Sequence, residues 1–123
     1  MFDIEIRKVF SAAHSLRGYN GMCCNLHGHN YSVVVVVKTA KLDDLGLSLD
    51  FKVLKEALDD ILNAYDHHDL SQLPEFRDTN PSSENLAISI YRQLSARINS
   101  EDAKVYSVRV GESENSAVTY YED

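Results

Sequence analysis

Apolar and charged residues alternate from the start of the chain: Phe2, Ile4 and Ile6 are interleaved with Asp3, Glu5 and Arg7, before Val9 and Phe10 make the run more apolar. A period of two marks a strand buried on one face, so residues 2–13 read as a strand ending at His14. Gly18, Asn20, Gly21 and Asn25 give the next stretch a turn-forming composition. The valine-rich residues 30–41 then read as a second strand, antiparallel to the first if the loop folds straight back, which would bring His14 near His27 and His29. Asp50 is a suitable N-cap, and Phe51, Leu54, Leu58, Ile61, Leu62 and Tyr65 fall at helical spacing. This first helix ends at Asp66-His67-His68-Asp69, and an irregular stretch with Pro74 and Pro81 follows. Ser82 or Ser83 caps a second helix, with Glu84 opposing the dipole in its first turn and Leu86, Ala87, Ile90, Tyr91, Leu94 and Ile98 as its apolar stripe. Residues 104–110 and 117–121 read as two closing strands joined by residues 111–116.

The order β-β-α-α-β-β predicts an α+β fold, a four-stranded antiparallel sheet with both helices on one face. A length of 123 residues, 44% of them apolar, suits one domain over residues 1–123 with a modest core. Four strands leave two unpaired edges, and a valine-rich strand near an edge invites pairing with another chain, so the chain is expected to assemble.

Charge narrows the partners. Twelve Lys and Arg against nineteen Asp and Glu give −7, with no basic cluster, so neither nucleic acid nor an anionic membrane surface is an expected partner. The first residues resemble neither a signal peptide nor an anchor, and the longest apolar run is the five valines Val33 to Val37. A spanning helix needs roughly 20 residues. Two adjacent cysteines without partners elsewhere make no disulfide framework, so free thiols and a cytoplasmic location are expected.

The densest chemistry lies in Met-Cys-Cys-Asn-Leu-His-Gly-His-Asn-Tyr, residues 22–31. Side chains two apart on a strand share a face about 6.6 Å apart, so His27 and His29 can grip one ion. With His14 they make a three-imidazole set with an open fourth position, the arrangement of catalytic zinc. Imidazole ligands favour zinc over calcium or magnesium, with iron as an alternative, and no acidic ligand follows the His-x-His pair as a cupin site would require. The bland alternative is a satisfied strand-end His14 beside a coincidental His-Gly-His. Cys23 and Cys24 precede His27 by four and three residues, and a thiol near a cation becomes a useful base or nucleophile; the alternative is a pair of small buried side chains. Asp66-His67 pairs a carboxylate with an imidazole at a helix end, either a proton-transfer unit or a solvated terminus favoured by the dipole. Glu112 is either a solvated loop acid or an acceptor of two hydrogen bonds from a guanidine-like ligand edge.

These features together resemble the 6-pyruvoyl-tetrahydropterin synthase family, and within it the bacterial 6-carboxy-tetrahydropterin synthases of queuosine biosynthesis. The matching stretches are Phe10-Ser-Ala-Ala-His14, Cys23-x-x-x-His27-Gly-His29, Leu49-Asp50-Phe51, Asp66-His67-His68, Pro81-Ser-Ser-Glu-Asn85 and Val110-Gly-Glu112. They span essentially the whole chain in order. The resemblance implies that His14, His27 and His29 ligate Zn2+, that Cys23 is the catalytic thiol, and that Asp66 and His67 complete a proton-transfer set with it. It implies that Glu112 anchors the pterin's amino-pyrimidine edge, with Ser82 and Ser83 lining the same pocket. It further implies a tunnelling fold, whose monomers close into an oligomeric barrel and stack as a homo-hexamer, a dimer of trimers, with pockets between subunits.

The activity implied is conversion of 7,8-dihydroneopterin triphosphate to 6-carboxy-5,6,7,8-tetrahydropterin with release of acetaldehyde and triphosphate. The four-residue step from Cys23 to His27 resembles the carboxy-forming branch, whereas the pyruvoyl-forming branch has a longer step. Two positions depart from the family pattern: Cys24 stands where Gly is common, and Ser15 where a basic residue often follows the first zinc histidine. Arg7, Lys8 and Arg17 are the candidates for meeting the triphosphate. The rival readings are a pyruvoyl-forming synthase, an aldolase-like pterin enzyme of the same fold, and a non-catalytic zinc-stabilised binding module.

Overall fold

A computed structural model describes residues 1–18 and 25–123. The strands and helices run β1 (Phe2–His14), β2 (His27–Thr39), α1 (Phe51–Leu62), α2 (Ser83–Ile98), β3 (Ala103–Ser113) and β4 (Ser116–Tyr121). The four strands form one antiparallel sheet in the order β1-β2-β3-β4. The expected architecture is thus the observed one, with α1 and α2 packed on a single face.

The period-two pattern decides which face that is. Ile6, Phe10, Tyr31, Val33, Val35, Val37, Val108 and Val110 point inward and are buried, where they meet Leu54, Leu58 and Ile61 of α1 and Leu86, Ile90 and Leu94 of α2. Each such aliphatic side chain contributes about 1.5–3 kcal/mol by leaving water. The capping oxygen of Asp50 accepts from the Lys52 N–H at 2.9 Å, and that of Ser82 from the Asn85 N–H at 3.1 Å, so α2 starts after the first of the two serines.

The main departures from the sequence reading lie at three boundaries, each for a physical reason. β2 begins at His27 rather than Asn30, because His27, Gly28 and His29 pair in register with His14, Ala13 and Ala12. β3 continues past Val110 to Ser113 although its apolar alternation stops, because the ladder to β4 runs on through Gly111↔Ala117 and Ser113↔Ser116, with a bulge between Gly111 and Ser113. Glu112 is therefore a strand residue rather than a loop residue. Gly111 suits a close approach to β2, since a Cβ there would meet the Ser32 hydroxyl oxygen at 2.7 Å. Finally, α1 stops at Leu62, and Tyr65 stays buried in the turn beyond it.

That turn carries the chain onto the outer edge of β1. His67 N–H donates to the Ser11 carbonyl at 2.6 Å, Ala13 N–H donates to the His68 carbonyl at 3.0 Å, and Ser11 N–H donates to Oδ1 of Asp66 at 2.9 Å. The irregular stretch is built from two one-turn 3-10 segments, Leu70–Gln72 and Pro74–Phe76. No helix among the described residues is long and apolar enough to cross a membrane.

Candidate metal centre

His14 and His27 face each other across β1 and β2, and His29 stands one strand repeat further along the same face. One ring nitrogen from each of the three lies within 4.8 Å of the others. Ring centroids are 4.6 Å apart for His14 and His27, 4.8 Å for His27 and His29, and 5.1 Å for His14 and His29. His14 is buried, and the other two are partly exposed.

Hydrogen bonds orient the rings, and Nδ1 of His14 has two partners, the Pro81 carbonyl and, at 3.1 Å, the Tyr31 hydroxyl. Nδ1 of His14 donates to the Pro81 carbonyl at 2.7 Å, and Nδ1 of His27 donates to the Asn25 carbonyl at 2.7 Å, because a carbonyl only accepts. With Nδ1 of each ring committed to a carbonyl, the two Nε2 atoms face each other inward, 3.0 Å apart. Two imidazole nitrogens this close need a proton or a metal cation between them. Nε2 of His29 is buried and has no hydrogen-bond partner, the single unsatisfied nitrogen among the buried side chains described. Three ring nitrogens gathered this closely, one of them buried without a partner, suit a metal ion. Tetrahedral zinc with Zn–N of about 2.0–2.1 Å spaces its ligand nitrogens at roughly 3.3 Å, close to what His14 and His27 present. Burial holds His29 below its ordinary value of 6.5, the Glu112 carboxylate pulls it back up, and the neighbouring imidazoles lower it further. The neutral, ligating form is thereby favoured.

Glu112 borders this centre. Its Oε1 accepts from the Ser83 hydroxyl at 2.8 Å, and its Oε2 lies 3.9 Å from Nε2 of His29. The carboxylate stands between two hollows, one of about 470 Å³ bordered by Arg7, Asn30, Ser32 and His29, the other of about 170 Å³ beside Ser83 and Ser116. Tyr31, fully buried between the centre and the core, has its phenol pushed well above the usual range, mainly by burial and then by Glu112.

The other sequence candidates fall elsewhere. Ser82 spends its hydroxyl on the α2 cap and borders a different hollow, with Arg17 and Asn80. Asp66 and His67 sit on the outer edge of β1, with Nδ1 of His67 3.0 Å from Oδ1 of Asp66. The Ser11 N–H, aided by His67, holds the Asp66 carboxyl below its ordinary value of 3.8. His67 has φ of 59°, the one positive φ outside glycine among the described residues, and its side chain is 81% exposed. A non-glycine residue held there signals a site where structure outweighs backbone preference. Cys23 and Cys24 lie outside the described residues. His68 and Asp69 match the solvated-end reading, since His68 is exposed and Asp69 caps the short turn at Ser71. Of the cations suggested for a triphosphate, Lys8 is paired with Asp59 and Arg17 spends Nη2 on backbone carbonyls. The Pro81 carbonyl, which orients His14, had no sequence signal because it is backbone.

The fold and the centre define a small two-layer α+β protein with a three-histidine group at one end of its sheet, fit to hold a metal ion. The chain belongs to the 6-pyruvoyl tetrahydropterin synthase family, whose model matches residues 3–123, and the family's enzymes act on pterins. It is 33% identical over 126 residues to a 6-pyruvoyl tetrahydrobiopterin synthase of Dictyostelium discoideum, covering 93% of this chain and 91% of that one. It is 35% identical over 120 residues to a 6-carboxy-5,6,7,8-tetrahydropterin synthase of Synechocystis, covering 91% and 87%. The structure of the 6-pyruvoyl tetrahydropterin synthase of Caenorhabditis elegans superposes with a TM-score of 0.87 at 28% identity, over 99% of this chain and 96% of that one.

Proposed function

We propose that this protein is a zinc-dependent 6-carboxy-5,6,7,8-tetrahydropterin synthase, acting as a single domain on 7,8-dihydroneopterin triphosphate in queuosine biosynthesis in the cytoplasm. The observation that carries the metal part is the unpartnered, buried Nε2 of His29 beside the two inward Nε2 atoms of His14 and His27. His14, His27 and His29 would hold the zinc, which would supply Lewis-acid chemistry beside the bound substrate. Glu112, fixed by Ser83, accepts hydrogen bonds from the amino-pyrimidine edge and sets the ring's position. Ser82, as the α2 cap, fixes the start of the helix that carries Ser83. Cys23 as thiolate takes a proton on one side of the substrate's side chain, and His67, oriented by Asp66, moves one on the other.

The edge position of Asp66 and His67 supports a site shared between copies. Ser11 and Ala13 turn their backbone groups outward to residues 66–69, so by alternation Val9, Arg7, Glu5 and Asp3 also point theirs outward. Those four have no backbone partner among the described residues, and β4 presents the opposite sheet edge. Pairing β1 of one copy with β4 of the next closes a barrel and leads to the trimer-based homo-hexamer expected from the sequence.

The test is direct. Incubation with 7,8-dihydroneopterin triphosphate yields 6-carboxytetrahydropterin by mass together with acetaldehyde, and a chelator abolishes both until zinc is restored. The Dictyostelium relative's name favours a second reading, a pyruvoyl-forming synthase. A pyruvoyl product without acetaldehyde would establish that reading instead.

A further inference from the structure

Arg17, a sequence candidate for contacting phosphate, turns its bonds into the protein. Its Nη2 donates to the carbonyls of Phe76 and Thr79, each at 2.8 Å. Its backbone pairs reciprocally with the side chain of Asn80: Arg17 N–H donates to Oδ1 at 2.8 Å, and Nδ2 donates to the Arg17 carbonyl at 2.9 Å. The far side of Asn80 is also held, because its carbonyl accepts from Nδ2 of Asn85 in the first turn of α2 at 2.8 Å.

The two ends of this clasp are informative. Arg17 lies three residues after His14, and Asn80 directly precedes Pro81, whose carbonyl accepts from Nδ1 of His14. Proline fixes its own φ near −65° and keeps the residue before it out of the helical region. Once Asn80 is held and Ser82 is committed as the α2 cap, the direction of the Pro81 carbonyl is set. We infer that Arg17 and Asn80 are positioning residues. Their clasp holds the Pro81 carbonyl against Nδ1 of His14 and so keeps Nε2 of that ring aimed into the centre. Partners of this kind, which fix the tautomer and orientation of a ligand ring, typically change metal affinity by about 10–100-fold. The metal consequence rests on the zinc reading above; the tautomer consequence does not.

The test therefore has two arms, both on the full-length protein. In the metal-free protein, nitrogen NMR shifts of the His14 ring report its tautomer. The wild type holds Nδ1–H, Arg17→Ala and Asn80→Ala show a ring averaging between tautomers, and Arg17→Lys, which keeps a donor for the same carbonyls, recovers part of the wild-type signal. In the second arm, competition with a chromophoric chelator gives zinc affinities about tenfold weaker for the two alanine variants. A role confined to stability would lower the melting temperature and leave both readouts unmoved. Folded variants with an unchanged His14 tautomer and zinc affinity within twofold of wild type overturn the inference. If an alanine variant does not fold, Asn80→Asp, which keeps the acceptor and loses the donor, carries the same two measurements. Tautomer loss in the variants alongside a wild type that binds no zinc would uphold the clasp and remove the zinc reading.

Discussion

Ser83, the first residue of α2, donates its hydroxyl to Oε1 of Glu112 on β3 at 2.8 Å, tying the start of a helix to the strand that carries the proposed pterin anchor. A hydrogen bond to a charged group contributes about 1.5–3 kcal/mol. In Ser83→Ala the carboxylate loses its fixed orientation while its charge remains. KM for the pterin substrate is expected to rise about tenfold with kcat within a factor of two. Steady-state kinetics decide this, and an unchanged KM would show that Glu112 is oriented by something else.

His67 offers a clean separation of backbone from chemistry. Its φ of 59° is a conformation asparagine tolerates well, so His67→Asn keeps the turn and removes the imidazole. The melting temperature should stay within about 2 °C, whereas loss of a general acid–base group lowers turnover by about 10²–10⁴-fold. Full turnover in a folded His67→Asn protein would exclude the proposed proton-transfer role.

Asp66 gives the pH dependence. Its carboxyl is depressed below 3.8, first by the Ser11 N–H and then by His67. A carboxyl with a lowered folded-state value favours the folded state fully above its unfolded value, and that contribution is lost as pH falls through the lower, folded value. The Ser11 amide resonance is therefore expected to titrate with a midpoint below 3.8, and the inflection should vanish in Asp66→Asn. A midpoint at or above 3.8 would contradict the clip between Asp66 and β1.

The thiol assignment is tested by single substitution. Cys23→Ala should lose about 10²-fold or more in turnover, the scale of a lost proton-transfer group, while Cys24→Ala stays within a few fold of wild type. Both variants should retain their metal. The opposite ranking would transfer the role to Cys24.

How much was legible in the sequence depended on whether a period or a backbone relation carried the information. Period two placed His27 and His29 on one face, and an antiparallel return brought His14 opposite them, as the pairing His14↔His27 shows. The cap at Asp50 was legible, and that of α2 down to Ser82 or Ser83, because such side chains act locally. The continuation of β3 through Glu112 was not, since polar residues still pair once hydrophobic alternation has stopped. Nor were the left-handed conformation of His67, the Pro81 carbonyl behind His14, or the clasp of Arg17 on Asn80, because each depends on contacts between distant backbone segments.

The central claim is that His14, His27 and His29 form one zinc site. Elemental analysis of the purified protein after dialysis against metal-free buffer tests it most directly. One zinc per chain in the wild type is expected, with loss of that zinc in each of His14→Ala, His27→Ala and His29→Ala while circular dichroism shows the fold retained. A wild type that holds no metal, or three single variants that all keep it, would contradict the claim.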